Sequence, residues 1–385
     1  MTLAAGQGML QFTIAWLALD LTNSVTQLGS IISIVGIPRL IFMLLGGVLA
    51  DRFDRLKIIR FSQATLTIYA IVVGLLVGFD VIAVWHLYIG SLVVGCVQAF
   101  GASSQVSLIR DLVSKEDIMS AVVINSMLMN TLNLLGPVFA GVLIPTVGID
   151  VTLFIVAGSF ASGMLVMLSI RIATRIAPAV RTSIRQDLAS GFKYVMASSF
   201  ARALVITGIA WGLFGQALIQ LMPGFGREEL GLNSANTGLL LLAVGIGSLS
   251  GNLILSSLTT YRRKNWLLMF GNVLFPVALL ILAAAPTFTA AMLVLPFVGM
   301  GTVFYVSVGS TLLQTSIPQN YLGRVTSIWY MGGSMMFVGA LPIGMLGDAI
   351  GLRYAFAMAA GLFLLVSMWY VVVNPAFRNW KNDQG

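Results

Sequence analysis

The sequence has little charge. Asp, Glu, Lys and Arg make up 9% of its 385 residues, whereas 58% of the residues are hydrophobic and the mean hydropathy is +0.98. Because a soluble domain carries roughly 25% charged residues, this composition cannot cover the surface of a water-soluble protein. We therefore predict a protein that crosses a lipid bilayer many times.

Cysteine and histidine are almost absent. Cys96 and His86 are the only residues of their types, so an intrachain disulfide or a Cys/His metal cluster cannot form. The sequence has no H-E-x-x-H, G-x-S-x-G or Walker motif, and Gly245-Ile246-Gly247 lies inside an apolar stretch with no strand before it. These gaps argue against a membrane-embedded enzyme, and we expect neither a metal nor a cofactor.

The apolar residues fall into segments of about 20 residues, the length that an α-helix needs to cross a bilayer. We predict that twelve such segments are transmembrane helices, so the fold class is an all-α membrane protein. The predicted helices are Met1–Leu19, Leu28–Ala50, Phe61–Phe79, Val84–Leu108, Ile118–Ile144, Val151–Ile170, Ala203–Gly224, Ala235–Leu258, Asn265–Ala285, Thr289–Leu313, Val325–Gly347 and Tyr354–Val373.

Short matches between the two halves of the chain indicate an internal repeat. The matches are Val35-Gly36-Ile37 with Val244-Gly245-Ile246, and Gly141 and Gly148 with Gly344 and Gly351. Parallel repeats of this kind are typical of transporters built from two similar halves. We therefore predict two six-helix bundles, at residues 1–171 and 202–385, the second ending in a short cytoplasmic tail.

A polar connection separates the predicted bundles. Residues 172–201 contain an amphipathic pattern around Ile184, Leu188, Phe192 and Val195. An amphipathic helix of this length can lie on a membrane surface but is too short to form a separate soluble domain. We predict that it is a cytoplasmic linker.

Basic residues are distributed asymmetrically. If the loop around residues 51–60 faces the cytoplasm, 18 of the 21 Lys and Arg lie in cytoplasmic loops or the tail, and only Arg39, Arg227 and Arg353 lie elsewhere. Cytoplasmic loops of membrane proteins carry an excess of bases. We therefore predict a plasma-membrane protein with both termini in the cytoplasm. Orientation accounts for the net charge of +8, so we expect no nucleic-acid partner.

The loop after the second predicted helix carries the most specific motif. It reads Gly46-Gly47-Val48-Leu49-Ala50-Asp51-Arg52-Phe53-Asp54-Arg55-Leu56-Lys57. It resembles the G-x-L-a-D-r-x-G-r-k loop of the major facilitator superfamily, and the matching residues are Gly47, Leu49, Asp51, Arg52 and Arg55. Asp54 stands where that pattern has glycine. The D-R-x-D-R form of the loop resembles the form found in the enterobactin-exporter and macrolide-efflux-like branch. The resemblance covers essentially the whole chain and implies the major facilitator fold.

The resemblance implies a conformational latch at this loop. The Asp51 carboxylate would meet Arg52, Arg55 and the positive N-terminal end of the eleventh helix near Val325, while Gly47 would allow close helix contact. The alternative is that Asp51 is a solvated loop acid that only helps to set the topology.

The fifth predicted helix carries a second motif. Gly136, Pro137 and Gly141 partly match the antiporter motif of the same superfamily, although Leu132 stands where a glycine is common. This resemblance favours export.

Arg39 is the one base inside a predicted helix. It precedes Asp51 by twelve residues, or about 18 Å of helix, which places it near the middle of the membrane. A charge at that depth requires a partner or a wet cavity. Arg39 could bind an anionic substrate group, or it could be a structural residue that neighbouring helices satisfy.

Amides and aromatic side chains are the other candidates for substrate binding. Several share a helix face at a spacing of three or four residues. The candidates are Gln7, Gln11, Asn130, Asn133, Trp211, Gln216, Gln220 and Tyr330. Together with Trp329 they suit a large amphipathic ligand. For each amide alone, an interhelical hydrogen bond is the alternative.

The resemblance implies a secondary active transporter that exports a hydrophobic or amphipathic small molecule, drug-like or siderophore-like, by alternating access. It also implies coupling to protons, but no Asp or Glu lies inside a predicted helix to support that coupling. We expect a monomer whose partners are the substrate and the bilayer. The alternatives are an uptake or facilitative carrier and a transport-inactive sensor.

Overall fold

The structure is a computed structural model that describes the backbone of residues 2–50, 55–112, 118–169, 184–258, 261 and 263–373. Side chains are described for residues 4–41, 56–101, 125, 129, 132, 135–169, 189–258, 261, 263–319 and 321–370. All regular secondary structure in these ranges is helical, and it forms two compact units.

The first unit contains six long helices and residues 232–242. The helices are α1 (Thr2–Thr22), α2 (Val25–Ala50), α3 (Arg55–Gly78), α4 (Val84–Leu112), α5 (Ile118–Val147) and α6 (Ile149–Ser169). α1 packs against α5 and α6, and α3 packs against α4 and α6. Apolar side chains of α1, including the stacked rings of Phe12 and Trp16, lie at the centre of the core.

The second unit contains the remaining helices. They are α7 (Ile184–Ala197), α8 (Ser199–Ala210), α9 (Ala217–Gln220), α10 (Met222–Gly224), α11 (Ser234–Ser257), α12 (Lys264–Ala283), α13 (Phe288–Ser316), α14 (Gln319–Ser334), α15 (Met336–Ile350) and α16 (Leu352–Val373). Two π-helical segments, Trp211–Gln216 and Phe225–Glu229, extend the stretch that α8 begins. α11 is shared, because its start belongs to the first unit.

The helices account for all the predicted spans. Among the described residues, nine stretches are long and apolar enough to cross a bilayer, and Val25–Ile41 and Leu135–Val147 are shorter apolar helices. With α1, these correspond to the twelve predicted helices, and the prediction of an all-α membrane protein is confirmed. The bundle bounds at residues 171 and 202 stay a prediction.

Two matched glycines make the same turn in the two halves. Gly148 (φ +93°) joins α5 to α6, and Gly351 (φ +96°) joins α15 to α16. Glycine adopts this left-handed region readily because it has no Cβ. The sequence match between these two positions therefore corresponds to a repeated local structure.

Several helices begin earlier than hydropathy predicts. α3 begins at Arg55 rather than Phe61, and Arg60 Nε and Nη2 donate to the Met167 carbonyl at 3.1 and 2.8 Å. α14 begins at Gln319 rather than Val325, directly after Pro318. Proline is well tolerated at a helix start, where its missing N–H has no intrahelical partner.

Candidate functional site

The predicted latch lies outside the described residues. Asp51 and Arg52 are not described, and only the backbone of Gly47 and Arg55 is, in α2 and α3 respectively. One element of the latch is wrong, however: Val325 is not at a helix N-terminus but six residues inside α14, with a fully buried side chain. The role of the loop itself stays a prediction.

The residues of the motif on α5 form close helix–helix contacts within the first unit. A Cβ atom added to Gly136 would lie 2.7 Å from the Cα atom of Gly8 on α1. Further along α5, Ser234 Oγ at the start of α11 donates to the Gly141 carbonyl oxygen at 3.0 Å. A Cβ atom on Gly238 would lie 2.8 Å from the Pro137 carbonyl oxygen. The motif thus brings the backbone of α5 close to α1 and α11, and a side-chain hydrogen bond from Ser234 supports the second contact.

The other candidates of the first unit are distributed over three helices, α1, α2 and α5. Arg39 is half-buried on α2, directly after the buried Pro38. On α1, Gln7 is half-buried and Gln11 is exposed. The side chains of Asn130 and Asn133, on α5, lie outside the described residues. The substrate-binding role of all five stays a prediction.

The candidates of the second unit gather around a π-helical segment. Trp211 begins that segment and Gln216 ends it, and both are half-buried. Gln220, one turn later, donates from Nε2 to the sulfur of Met336 at 3.5 Å. Tyr330 of α14 is 51% exposed. The structure thus places these four residues on α14 and on the stretch from Trp211 to Gln220.

The π-helical segment packs unusually closely against its neighbours. A Cβ atom on Gly212 would lie 2.0 Å from the Gly332 carbonyl oxygen of α14, and one on Gly339 of α15 would lie 2.1 Å from the Leu213 carbonyl oxygen. The lack of side chains at these positions lets three helical stretches meet at their backbones. π-helical turns are rare and frequently occur at functional sites.

Sequence reasoning missed Tyr305. Its ring lies between Trp211 and Trp329, with ring centroids 5.5 and 6.2 Å away, and its side chain is 1% exposed. From the sequence alone, a tyrosine in an apolar helix is interpreted as a core residue. Its hydroxyl, which needs a hydrogen-bond partner when buried, was the signal that could have found it.

Sequence reasoning also missed the pairing of Glu229 with Arg353. Arg353 Nε and backbone N donate to the Glu229 carboxylate at 3.0 Å each, and Nη2 donates to the Glu229 carbonyl at 3.3 Å. This pair ties the second π-helical segment to the start of α16.

Among the described residues, no group of His, Cys, Asp and Glu could hold a metal ion.

The sequence of the chain is similar to those of known membrane transporters. The sequence profile described as "Transmembrane secretion effector" matches residues 2–384. The enterobactin exporter EntS of Escherichia coli O81 (strain ED1a) is 25% identical over 349 residues, which cover 90% of this chain and 82% of that protein.

Solved structures of transporters share the fold. The D-xylose-proton symporter superposes with a TM-score of 0.76 at 14% identity, covering 99% of this chain and 98% of its own. The nucleoside transporter NupG gives a TM-score of 0.75 at 15% identity, covering 99% of each chain. The predicted major facilitator fold is confirmed.

Proposed function

This chain belongs to the transmembrane secretion effector family of the major facilitator superfamily, and we propose that it exports a hydrophobic or amphipathic small molecule. It is a multi-pass membrane transporter. The observation that carries the export direction is the match of 90% of the chain to an enterobactin exporter. The substrate class that we propose is drug-like or siderophore-like, and the location is the plasma membrane with both termini in the cytoplasm.

The contact at α5 supports this proposal. An alternating-access transporter rocks rigid groups of helices around a midplane site. The backbone of Gly136 contacts α1, and the backbones of Pro137 and Gly141 contact the start of α11, where the Ser234 hydroxyl adds one hydrogen bond. Such a contact transmits a helix movement directly, because few flexible atoms lie between the backbones.

The loop latch is part of the proposal. Asp51 would stabilise one end state of the cycle through its charge, with Arg52 and Arg55 as partners, and release it when the loop opens. Proton coupling requires a titratable group. Among the described residues no Asp or Glu lies within the interior of a membrane-spanning helix.

Secretion from cells tests this function. We expect that Escherichia coli cells lacking their own enterobactin exporter secrete enterobactin again when they produce this chain. Asp51→Asn should abolish most of that secretion without lowering the amount of protein in the membrane, because it removes a charge and preserves the shape. Enterobactin in the medium and inside cells is measured by chromatography, with erythromycin accumulation as a second substrate.

The matched control is Asp80→Asn, an exposed acid with φ +56° outside the helices. Asparagine tolerates that conformation as well as aspartate does, so secretion should be unchanged. Net uptake of either compound by cells with the wild-type chain, or no movement of either, would overturn the proposal of export.

A further inference from the structure

One side of the linker helix α7 is packed against the second unit. Val195 is 3% exposed and lies in the apolar core of that unit. The ring of Tyr194 stacks on Tyr321 of α14 with ring centroids 4.6 Å apart, and a Cβ atom added to Gly191 would lie 2.9 Å from the Cβ atom of Arg324. These contacts place α7 beside the first two turns of α14.

The other sides of α7 are not covered by the described residues. Phe192 and Met196 are 61% and 51% exposed, and Lys193 is exposed as well. Because successive helix residues are about 100° apart around the axis, Phe192 and Met196 lie roughly a quarter of a turn from the buried Gly191 and Val195. Lys193 lies on the side opposite that buried pair. Around its axis, α7 thus has a protein side, an uncovered apolar side and a charged side, in that order.

The end of the second unit that carries α7 also carries exposed tryptophans. α8, α12 and α14 all begin at this end, because one returning helix lies between each of them and the next. Trp266, in the first turn of α12, is 48% exposed, and Trp369, near the end of α16, is 63% exposed. Tryptophan is enriched where membrane proteins meet the lipid headgroups. The two tryptophans therefore indicate that the headgroup region meets the second unit at the end where α7 packs.

Bases flank the apolar side of α7. Lys193 is exposed, and Arg202 Nη1 donates to the Met196 carbonyl oxygen at 2.9 Å, which holds a guanidinium at the C-terminal end of the helix. The exposed Arg263 directly precedes α12 at the same end of the unit. Residues 189–202 contain no Asp or Glu. This distribution of charge is complementary to an anionic surface, which the cytoplasmic leaflet of a bilayer supplies.

We propose that α7 binds the bilayer surface as an interfacial helix with a preference for anionic lipid. Phe192 and Met196 enter the part of the acyl-chain region nearest the headgroups, while Lys193 remains on the water side and binds headgroup phosphates. An apolar side next to a basic side is the pattern of helices that lie in the membrane interface. The partner of α7 is therefore the lipid itself rather than a second protein.

The lipid contact is separate from the docking of α7. Tyr194 and Val195 hold the helix on the second unit whether or not lipid covers its apolar side. A linker surrounded by water would expose polar side chains, whereas α7 exposes two large apolar ones that a bilayer would cover. The direction of transport has no influence on this contact, because the contact concerns only the surface of the second unit.

Collision rates of a spin label measure the surroundings of each side of α7. In a Cys96→Ala background, a nitroxide is attached to Phe192→Cys, Met196→Cys or Lys193→Cys. Each full chain is placed in nanodiscs of equal parts phosphatidylcholine and phosphatidylglycerol. Oxygen concentrates in the acyl-chain region, whereas a nickel chelate remains in water. We expect the labels at residues 192 and 196 to collide mainly with oxygen and the label at residue 193 to collide mainly with the nickel chelate.

Two exposed positions serve as references. Leu365→Cys, at a residue of α16 that is 68% exposed, should report the acyl chains, and Ala284→Cys, in the turn between α12 and α13, should report water. If the nickel chelate reaches residues 192 and 196 as readily as residue 284, α7 lies in water and the proposal is overturned. Labels shielded from both reagents would overturn it as well, because protein, such as a second copy of the chain, would then cover this side.

The charge of the lipid supplies a second readout. In nanodiscs of phosphatidylcholine alone, the Met196→Cys label should collide less often with oxygen, because Lys193 then has no anionic lipid to bind. One base near an anionic surface changes an equilibrium about fivefold. Lys193→Gln should therefore abolish the difference between the two kinds of nanodisc, whereas Lys193→Arg, which keeps the charge, should preserve it.

The same comparison can contradict the lipid preference. An oxygen collision rate at residue 196 that is equal with and without phosphatidylglycerol would overturn the binding of anionic lipid. A difference that persists in Lys193→Gln would overturn the role of Lys193. If the label at Met196→Cys disturbs the helix, the label at Phe192→Cys provides the same comparison from the neighbouring position on the apolar side.

Discussion

The pair of Glu229 and Arg353 shows how one charged residue can fix a helix end. The guanidinium and the backbone N–H of Arg353 both reach Glu229, and the two side chains are only 19% and 30% exposed. Gly351, in its left-handed conformation, turns the chain so that Arg353 faces this acid. The neighbouring pair of Arg227 and Glu228 is looser, at 3.8 Å.

We therefore expect Glu229→Gln to destabilise the protein by about 1 kcal/mol, because charge-assisted hydrogen bonds at a partly exposed site are lost. The measurement is the melting temperature of the purified chain in detergent, which should fall by a few degrees. Glu228→Gln is the matched control on the adjacent residue and should not lower it. Equal melting temperatures for the two variants would contradict a stabilising role for the Glu229 pair.

Individual residues also show why the candidate site could be predicted only in part. Trp211 and Tyr330 were predicted because aromatic residues on helices suggest a large amphipathic ligand, and their role in binding stays a prediction. Tyr305 was missed, because burial of its hydroxyl depends on which helices meet around it. The closeness of Tyr305 and Trp329 at Gly208 depends on packing between α8, α13 and α14, which a single sequence does not contain.

At the scale of elements, α7 divides its apolar residues between two sides. Val195 is buried, and Tyr194 stacks on Tyr321 of α14 with centroids 4.6 Å apart. Phe192 and Met196 are 61% and 51% exposed. The linker helix is therefore docked on the second unit through one face and leaves a second apolar face uncovered by the described residues.

This docking predicts a local effect of substitution. Tyr194→Ala removes the ring that stacks on Tyr321, so the amides of residues 189–197 should exchange with solvent deuterium several times faster, because α7 loses part of its packing. Hydrogen-exchange mass spectrometry of the detergent-solubilised chain measures this rate. Phe192→Ala, on the exposed face of the same helix, should leave the exchange unchanged. Faster exchange in both variants would show that the stack does not hold α7.

The elements also show what hydropathy can and cannot predict. It located twelve spans because each needs about 20 apolar residues. It placed the start of α3 too late, because Arg60 interrupts the apolar run although its guanidinium bonds to a carbonyl of α6. It missed the π-helical segments at Trp211 and Phe225 altogether, since hydropathy does not distinguish a π-helix from an α-helix.

At the scale of the whole molecule, the glycine turns indicate the repeated fold, whereas the distribution of Lys and Arg predicts the orientation in the membrane. The two halves share a glycine turn at Gly148 and Gly351, which reflects the repeated fold. In both halves the basic residues concentrate in the loops that are predicted to face the cytoplasm, as cytoplasmic loops of membrane proteins carry an excess of bases. The apolar segments thus predict the helices of the fold, and the positions of Lys and Arg in the loops predict its orientation.

Orientation yields the last prediction. In a Cys96→Ala background, which removes the single native thiol, Ala189→Cys places a thiol on an exposed position of α7 and Ala284→Cys places one in the exposed turn between α12 and α13. Because the bases predict that α7 is cytoplasmic, a membrane-impermeant maleimide added to intact cells should label Ala284→Cys and spare Ala189→Cys. After the membranes are opened, both variants should react, which controls for the accessibility of each thiol. Labelling of Ala189→Cys in intact cells would reverse the predicted orientation, and labelling of both variants in intact cells would contradict an odd number of spans between the two positions.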